Sequence, residues 1–207
     1  MTPSPKDPIR VLIVDDHHVV RLGLRSLLSH TGGFRVVGEA GSVAEAVQMA
    51  TQLTPDVLAK ADKSAGRAVF NLACANCHRL YGQGGEVGPD LTGAGRDNLD
   101  YLLDNIADPS AVVSADFRMT VVNLKDGRTL NALIAAKTDR TLTLKTMTET
   151  LTVPRADVAS LQESALSLMP EGLIDGWKPQ QVRDLFAYLR STQPLVGEPP
   201  KPQKPQP

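Results

Sequence analysis

A pair of cysteines followed directly by a histidine, Cys74-Ala75-Asn76-Cys77-His78, limits what this 207-residue chain can fold into more than any other part of the sequence. Two thiols three positions apart can each add to one vinyl group of the same porphyrin, and the histidine is then carried under the ring to bind the iron. A zinc site needs four ligands, and because these are the only two cysteines, it would have to recruit distant histidines. A thioredoxin-like redox pair would follow a strand and would not need His78. The motif therefore predicts covalent attachment of one haem c, with Cys74, Cys77 and His78 as its binding residues.

Composition is compatible with this prediction but does not require it. Hydrophobic residues make up 42% of the sequence, and a net charge of −1 indicates no surface for nucleic acid. Aromatic residues make up only 4%, so a haem would supply missing apolar bulk. No stretch approaches the roughly eighteen apolar residues of a membrane span, and residues 1–16 show no export signal. Haem is normally attached to such cysteines outside the cytoplasm, so we expect a periplasmic protein although no signal peptide is visible.

The segment before the motif has the order strand, helix, strand, helix. A β-branched run at residues 9–16 ends in Asp15 and Asp16 and is typical of a strand buried in a parallel sheet. A helical stripe at residues 17–30, a second strand at 34–40 and a helix from 43 to about 53 follow. This segment resembles the start of a response-regulator receiver domain, in which an acidic pair binds magnesium beside a phosphorylated aspartate.

The resemblance to receiver domains ends after residue 58. In the register set by Pro55-Asp56, position 61 should carry the phosphorylated aspartate, but it is Ala61, and Asp62 comes one residue late. The third strand is reduced to residues 57–59. We therefore interpret residues 1–58 as a truncated, non-signalling segment joined by a linker at 59–63. We expect its deletion to leave the haem spectrum unchanged. The histidines of this segment are interpreted as surface or helix residues rather than ligands: His17, His18 and His30.

The residues around the motif indicate two helices that cross. Gly66, Phe70 and Cys74 repeat on one helical face, and the glycine permits a close approach by a helix that starts at Pro179. These helices resemble the N- and C-terminal helices of a small cytochrome c. Gly88-Pro89-Asp90-Leu91 resembles the loop whose proline carbonyl accepts a hydrogen bond from the iron-bound histidine. The resemblance therefore assigns Pro89 and Leu91 to haem binding.

The chain between these helices contains a glycine-rich loop, a helix and a β insertion. The glycines between residues 82 and 95 predict a loop that passes close to a flat group such as a porphyrin. A helix is predicted at 97–107, and four β-type runs at 117–124, 128–136, 140–145 and 148–153 predict a small antiparallel sheet, inserted at about 117–158.

In the order of these features, residues 64–192 resemble the cytochrome c haem-binding domains of planctomycete and verrucomicrobial proteins. The resemblance implies that Met169, in Ser167-Leu168-Met169-Pro170, is the second iron ligand. Met119 and Met147 fall on predicted strands and are expected to be core residues. Residues 194–207 are predicted to be a Pro-rich disordered tail.

The predicted fold class is multi-part. It comprises a mainly α cytochrome c-like domain at 64–193 with an inserted antiparallel sheet, preceded by an incomplete α/β segment. The predicted function is that of a monohaem electron carrier with His/Met ligation. We expect it not to be an enzyme, to bind no nucleic acid and to have no membrane span. Its expected redox partners are a dehydrogenase as electron donor and an oxidase or another cytochrome as acceptor. Two alternatives stay open at this point: a haem-based redox or gas sensor with a regulatory N-terminus, and an electron-transfer module of a dehydrogenase complex.

Overall fold

The computed structural model describes residues 8–197, so residues 1–7 and the predicted Pro-rich tail from residue 198 lie outside the described part. Its helices are α1 His18–His30, α2 Val43–Thr51, α3 Pro55–Ala59, α4 Lys63–Ala73, α5 Leu99–Ala107 and α6 Pro179–Leu189. Its strands are β1 Ile9–Val14, β2 Phe34–Ala40, β3 Arg79–Leu80, β4 Gln83–Gly84, β5 Arg118–Leu124, β6 Thr129–Lys137, β7 Thr141–Lys145, β8 Thr150–Pro154 and β9 Val158–Ser167. With two short 3-10 helices, Ala115–Phe117 and Arg155–Asp157, helices hold 34% and strands 28% of these residues, so the chain is mixed α/β and the prediction that its cytochrome c-like part is mainly α is only weakly supported.

The N-terminal segment forms a two-stranded parallel sheet, with β1 beside β2 and Ile9 opposite Phe34. Helices α1 and α2 pack against it. Ser42 caps α2, since its hydroxyl accepts the Glu45 N–H at 3.1 Å. The strand, helix, strand, helix order predicted from the sequence is confirmed. Two strands bury little surface, and α1 contains no buried residue.

The short strand predicted at residues 57–59 is wrong, because these residues belong to helix α3. Thr54 caps this helix by accepting the Val57 N–H at 3.4 Å, and Pro55 occupies its first turn, where a missing N–H is harmless. Asp62, the residue one position late for phosphorylation, caps α4 and accepts the N–H groups of Ser64 and Ala65. Capping by Thr54 and Asp62 therefore stabilises helices on both sides of residue 60, where a strand was predicted at 57–59.

Helices α4 and α6 cross in close contact, as the sequence predicted. A Cβ on Gly66 would lie 1.9 Å from the Asp184 carbonyl oxygen, so the two backbones touch at this position. The rings of Phe70 and Tyr188 lie 5.6 Å apart and tilted, beside this contact. The crossing fixes the direction in which α4 presents the cysteines that follow it.

The hydrophobic core around this crossing also includes residues from the receiver-like segment. Leu53 and Leu58 are 2% and 5% exposed and belong to the same cluster as Phe70 and Leu185. The Arg183 guanidinium donates to the Thr51 carbonyl at 3.4 Å. The division into domains at residues 58–64 stays a prediction. The shared core argues against the expectation that deletion of residues 1–58 leaves the haem spectrum unchanged.

The β insertion forms a five-stranded antiparallel sheet in the order β8-β7-β6-β5-β9, with a small core of its own. The four predicted strands are present. A fifth strand that was not predicted, β9 at Val158–Ser167, extends the sheet past residue 158. Strand β9 lies at the edge of the sheet and pairs only with β5 among the described strands. Leu161 and Leu166 remain 37% and 51% exposed, so β9 lacks the clear alternation that marks a half-buried strand.

Candidate haem-binding site

The C-terminal end of α4 presents the two cysteines. The Cys74 N–H still donates to Phe70 O at 2.8 Å, while Cys77 and His78 donate to Cys74 O at 3.1 and 2.9 Å. These bonds close a tight turn directly after the helix. Both cysteines are free thiols and half-buried. The fold therefore brings the two thiols and the histidine together on one turn of the chain.

Burial also sets the protonation state of the thiols. It raises the pKa of Cys74 to about 12, with a further contribution from the neighbouring Cys77. Burial likewise raises the pKa of Cys77. A catalytic dithiol needs a lowered pKa, because the thiolate is the nucleophile. The surroundings of these thiols therefore argue against the thioredoxin-like alternative.

The imidazole of His78 is held by a backbone carbonyl. Its Nδ1 lies 3.0 Å from Pro89 O, which is the hydrogen bond predicted from the proline loop. Burial lowers the pKa of His78, and this outweighs the bond to Pro89, which raises it. With Nδ1–H donating to Pro89, Nε2 carries the lone pair that a metal requires.

Gly88 lies against the His78 ring. A Cβ at this position would lie 2.5 Å from Cε1 of the imidazole, so a larger residue would displace the ring. Two free thiols, an oriented imidazole and this glycine cradle fit a covalently held haem. Cys74, Cys77 and His78 would hold it, and half-buried Leu91 packs on the same core as Cys74.

Close packing on backbone explains two glycines of the glycine-rich loop, for which a porphyrin contact was predicted. A Cβ on Gly84 would lie 2.1 Å from His78 O, and one on Gly85 would lie 2.0 Å from Asn76 O. These glycines thus allow the loop to pack on the backbone of the attachment turn. Gly84 also has φ +108°, a conformation that favours glycine. Gly93, in contrast, has open space at the position of a Cβ.

Met169 lies half-buried in the loop between β9 and α6. Its N–H donates to Ser167 Oγ at 3.1 Å, and the Ser167 N–H donates to Ser110 Oγ at 3.3 Å. These bonds anchor the loop to the segment after α5. The role of Met169 as an iron ligand stays a prediction.

Met119 and Met147, the methionines predicted to be core residues, differ in their exposure. Met119 lies half-buried on β5. Met147 lies between β7 and β8 and is 51% exposed, so the prediction that it is a core residue is wrong. The Thr146 hydroxyl bonds to the Thr148 hydroxyl and to the backbone N–H and carbonyl of Glu149 in this turn, which leaves the intervening side chain at the surface.

Arg96 is the residue of this region that sequence reasoning missed. It is only 7% exposed and donates to backbone carbonyls of Leu91, Thr92, Leu189 and Ser191. An arginine in a glycine-rich loop gives no periodic signal, and its buried position depends on the distant end of α6. It connects the loop that carries Pro89 to the last helix.

The acidic pair of the receiver-like segment remains close together at the end of β1. Oxygen or nitrogen atoms of Asp15, Asp16 and His17 lie within 4.8 Å of one another. His17 Nδ1 is 2.6 Å from Asp16 Oδ1, which is hydrogen-bond distance. Asp15 is half-buried, whereas Asp16 and His17 are exposed, so His17 is the surface residue that was predicted.

Comparison with known proteins finds two kinds of similarity. The family model for cytochrome c matches residues 64–120. The match includes Cys74, Cys77 and His78 and implies covalently bound haem c. Within residues 8–197, no helix combines the length and apolar character that crossing a bilayer requires.

Response regulators are similar to this chain over about 50 residues. The transcriptional regulatory protein LiaR of Bacillus subtilis is 46% identical over 50 residues, which is 24% of this chain and 24% of LiaR. The response regulator GacA of Pseudomonas viridiflava is 48% identical over 50 residues, 24% of this chain and 23% of GacA. The response regulator protein VraR of Staphylococcus saprophyticus is 47% identical over 51 residues, 25% of this chain and 24% of VraR. The chain thus spans about a quarter of the length of these relatives. It therefore combines a region that matches the cytochrome c family model, which supports a haem-binding electron carrier, with similarity to response regulators.

Proposed function

We propose that this protein is a monohaem c-type cytochrome that carries single electrons between redox partner proteins and forms no bonds in a substrate. The observation that carries the proposal is the attachment turn, where Cys74, Cys77 and His78 are brought together and His78 Nδ1 is held 3.0 Å from Pro89 O. The sequence contains one such motif, which supports a single haem. A bound haem supplies reversible one-electron chemistry of its iron.

The residues of the chain divide the work of binding. The two thiols would form thioether bonds, which hold the group irreversibly. The Pro89 carbonyl orients His78 and raises its basicity as a ligand. Leu91 and the neighbouring core exclude water from one side of the site. None of these residues moves a proton or activates a substrate.

We also propose Met169 as the second axial ligand. A thioether is a soft donor that stabilises ferrous iron and raises the potential. Support comes from its half-buried place in the loop before α6 and from the family resemblance, whereas Met147 is too exposed to be a competing candidate. Filled positions on both faces suit electron transfer rather than binding of a gas.

The receiver-like segment is proposed to have no phosphotransfer role. Position 61 is alanine, the third strand is a helix, and Asp62 is used as a helix cap. Because haem c attachment is normally an extracytoplasmic process, we place the mature protein in the periplasm. A dehydrogenase is a suitable electron donor for such a carrier.

Expression with and without the cytochrome maturation machinery tests the proposal. With the machinery, the acid-denatured chain should retain one haem by mass and show a c-type absorption spectrum, and Cys77→Ala should leave at most one thioether. A chain of unmodified mass from maturation-competent cells would refute the proposal.

Met169→Ala should remove the weak far-red charge-transfer band of sulfur–iron ligation and open a site for carbon monoxide. Met147→Ala is the matched control and should keep the band. Loss of the band in the control, with its retention in Met169→Ala, would place the ligand in the inserted sheet.

A further inference from the structure

The guanidinium of Arg96 is buried, and it donates to four backbone carbonyls and, at 3.5 Å, to the Tyr81 hydroxyl. Its Nε donates to Leu91 O at 2.5 Å and its Nη2 to Thr92 O at 3.2 Å. Its Nη1 donates to Leu189 O and to Ser191 O, the latter at 2.9 Å. One rigid fork of donors therefore spans two segments that are almost a hundred positions apart in the chain.

The charge of Arg96 is balanced by dipoles and a ring. None of the ion pairs among residues 8–197 includes Arg96. Leu189 O belongs to the C-terminal end of α6, where the helix dipole is negative. The cation also lies over the ring of Tyr81, 5.2 Å from the centroid. A buried cation is costly unless its donors are satisfied, so these bonds fix its position firmly.

The loop that Arg96 holds is the loop that holds His78. Pro89 O accepts from His78 Nδ1, and two residues later the Leu91 N–H donates to Arg79 O at 2.8 Å. On its other side the Leu91 carbonyl accepts from Arg96. Residues 89–92 are thus clamped between the attachment turn and Arg96. The Gly88 N–H donates to Cys77 O and the Tyr81 N–H donates to Thr92 Oγ1, both at 2.8 Å, so these bonds hold the segment on the side of the attachment turn while Arg96 ties it to α6.

We propose that Arg96 is a positioning residue for the iron ligand: by tying Leu91 and Thr92 to the end of α6, it holds the Pro89 carbonyl against Nδ1 of His78. The inference rests on the proposed function, since it assigns His78 to the iron. It adds a physical connection between the last helix and the basicity of that ligand. Loss of Arg96 loosens the Nδ1 hydrogen bond and does not touch the thioether bonds.

The test measures the Nδ1 proton of His78 directly. The reduced holoprotein is labelled with ¹⁵N-histidine, which gives only four imidazoles to assign, and exchange of the Nδ1 proton with solvent is followed by NMR. Arg96→Met should speed this exchange at least tenfold, while amide protons of α6 change less than threefold. Arg96→Lys keeps the charge but not the fork, so it should give an intermediate rate and serves if Arg96→Met does not fold.

Arg190→Met is the matched control. Like Arg96, Arg190 is an arginine near the C-terminal end of α6, because it directly follows that helix. Its Nη2 donates to Asp97 O at 3.0 Å, outside the clamped residues 89–92. It should leave the Nδ1 exchange rate unchanged within a factor of two. Unchanged Nδ1 exchange in both Arg96 variants would overturn the inference, as would equal acceleration of the α6 amides, which indicates general loosening.

The mass of the wild-type protein separates this inference from the proposed function. A wild-type chain that carries no covalent haem refutes the proposed function, and the positioning role falls with it. A chain that carries haem but shows no effect of Arg96 on the Nδ1 proton refutes the positioning role alone.

Discussion

Replacing Gly66 by alanine tests whether the α4–α6 crossing governs haem binding. A Cβ at this position would lie 1.9 Å from Asp184 O, 2.5 Å from the Asp184 carbonyl carbon and 2.9 Å from Tyr188 Cβ. Two of these three atoms belong to backbone and cannot rotate away. The helices themselves must therefore move apart.

The required movement sets the expected loss of stability. Ordinary contact, from 1.9 Å to at least 3.4 Å, is restored only if the helices separate by roughly 1.5 Å, and this opens the neighbouring Phe70–Tyr188 contact as well. Overpacking of this kind destabilises a protein by about 1–3 kcal/mol, while alanine recovers up to about 1 kcal/mol of helix propensity. We therefore expect the free energy of unfolding to fall by about 2 kcal/mol.

Guanidinium chloride unfolding of the holoprotein, followed by circular dichroism and by the Soret band, measures this change. Gly23→Ala is the matched control, because Gly23 lies within α1 and a Cβ there meets nothing within 4 Å. The control should be neutral or more stable by up to about 1 kcal/mol. If Gly66→Ala were as stable as the wild type, the close crossing and its role in placing Cys74 would be refuted.

Three further predictions follow from burial and from the missing phosphorylation site. In the reduced, haem-free chain at pH 8, Cys74 should react with iodoacetamide more slowly than Cys77, because burial raises its pKa to about 12; equal rates in the folded chain would contradict this. In a urea titration, Leu58→Ala should lower the free energy of unfolding by about 2–5 kcal/mol. Leu27→Ala, at a 62% exposed position, is the control and should change this free energy by less than about 0.5 kcal/mol. Acetyl phosphate with magnesium should produce no aspartyl phosphate within residues 9–58 by intact mass, and a stable phosphorylated species would restore the sensor alternative.

The chemistry at the centre of this protein could be read from the sequence because it depends on local spacing. Cysteines three residues apart and an adjacent histidine are close in any compact turn, so Cys74, Cys77 and His78 required no tertiary information. The Gly66 contact and the Pro89 hydrogen bond were also predictable. The first follows from one helical face, and the second from a resemblance carried by four consecutive residues.

Only the tertiary structure decided the features that depend on distant partners. Residues 57–59 have a strand-like composition, but capping by Thr54 and burial of Leu58 against the core of α6 make them helical. Strand β9 exists because β5 offers it an edge, which its own weak alternation does not reveal. Gly84 and Gly85 of the attachment loop face backbone carbonyls of the attachment turn, and Arg96 is buried because the end of α6 supplies carbonyls to its donors. A sequence pattern records which groups are available, whereas long-range packing decides which of them meet.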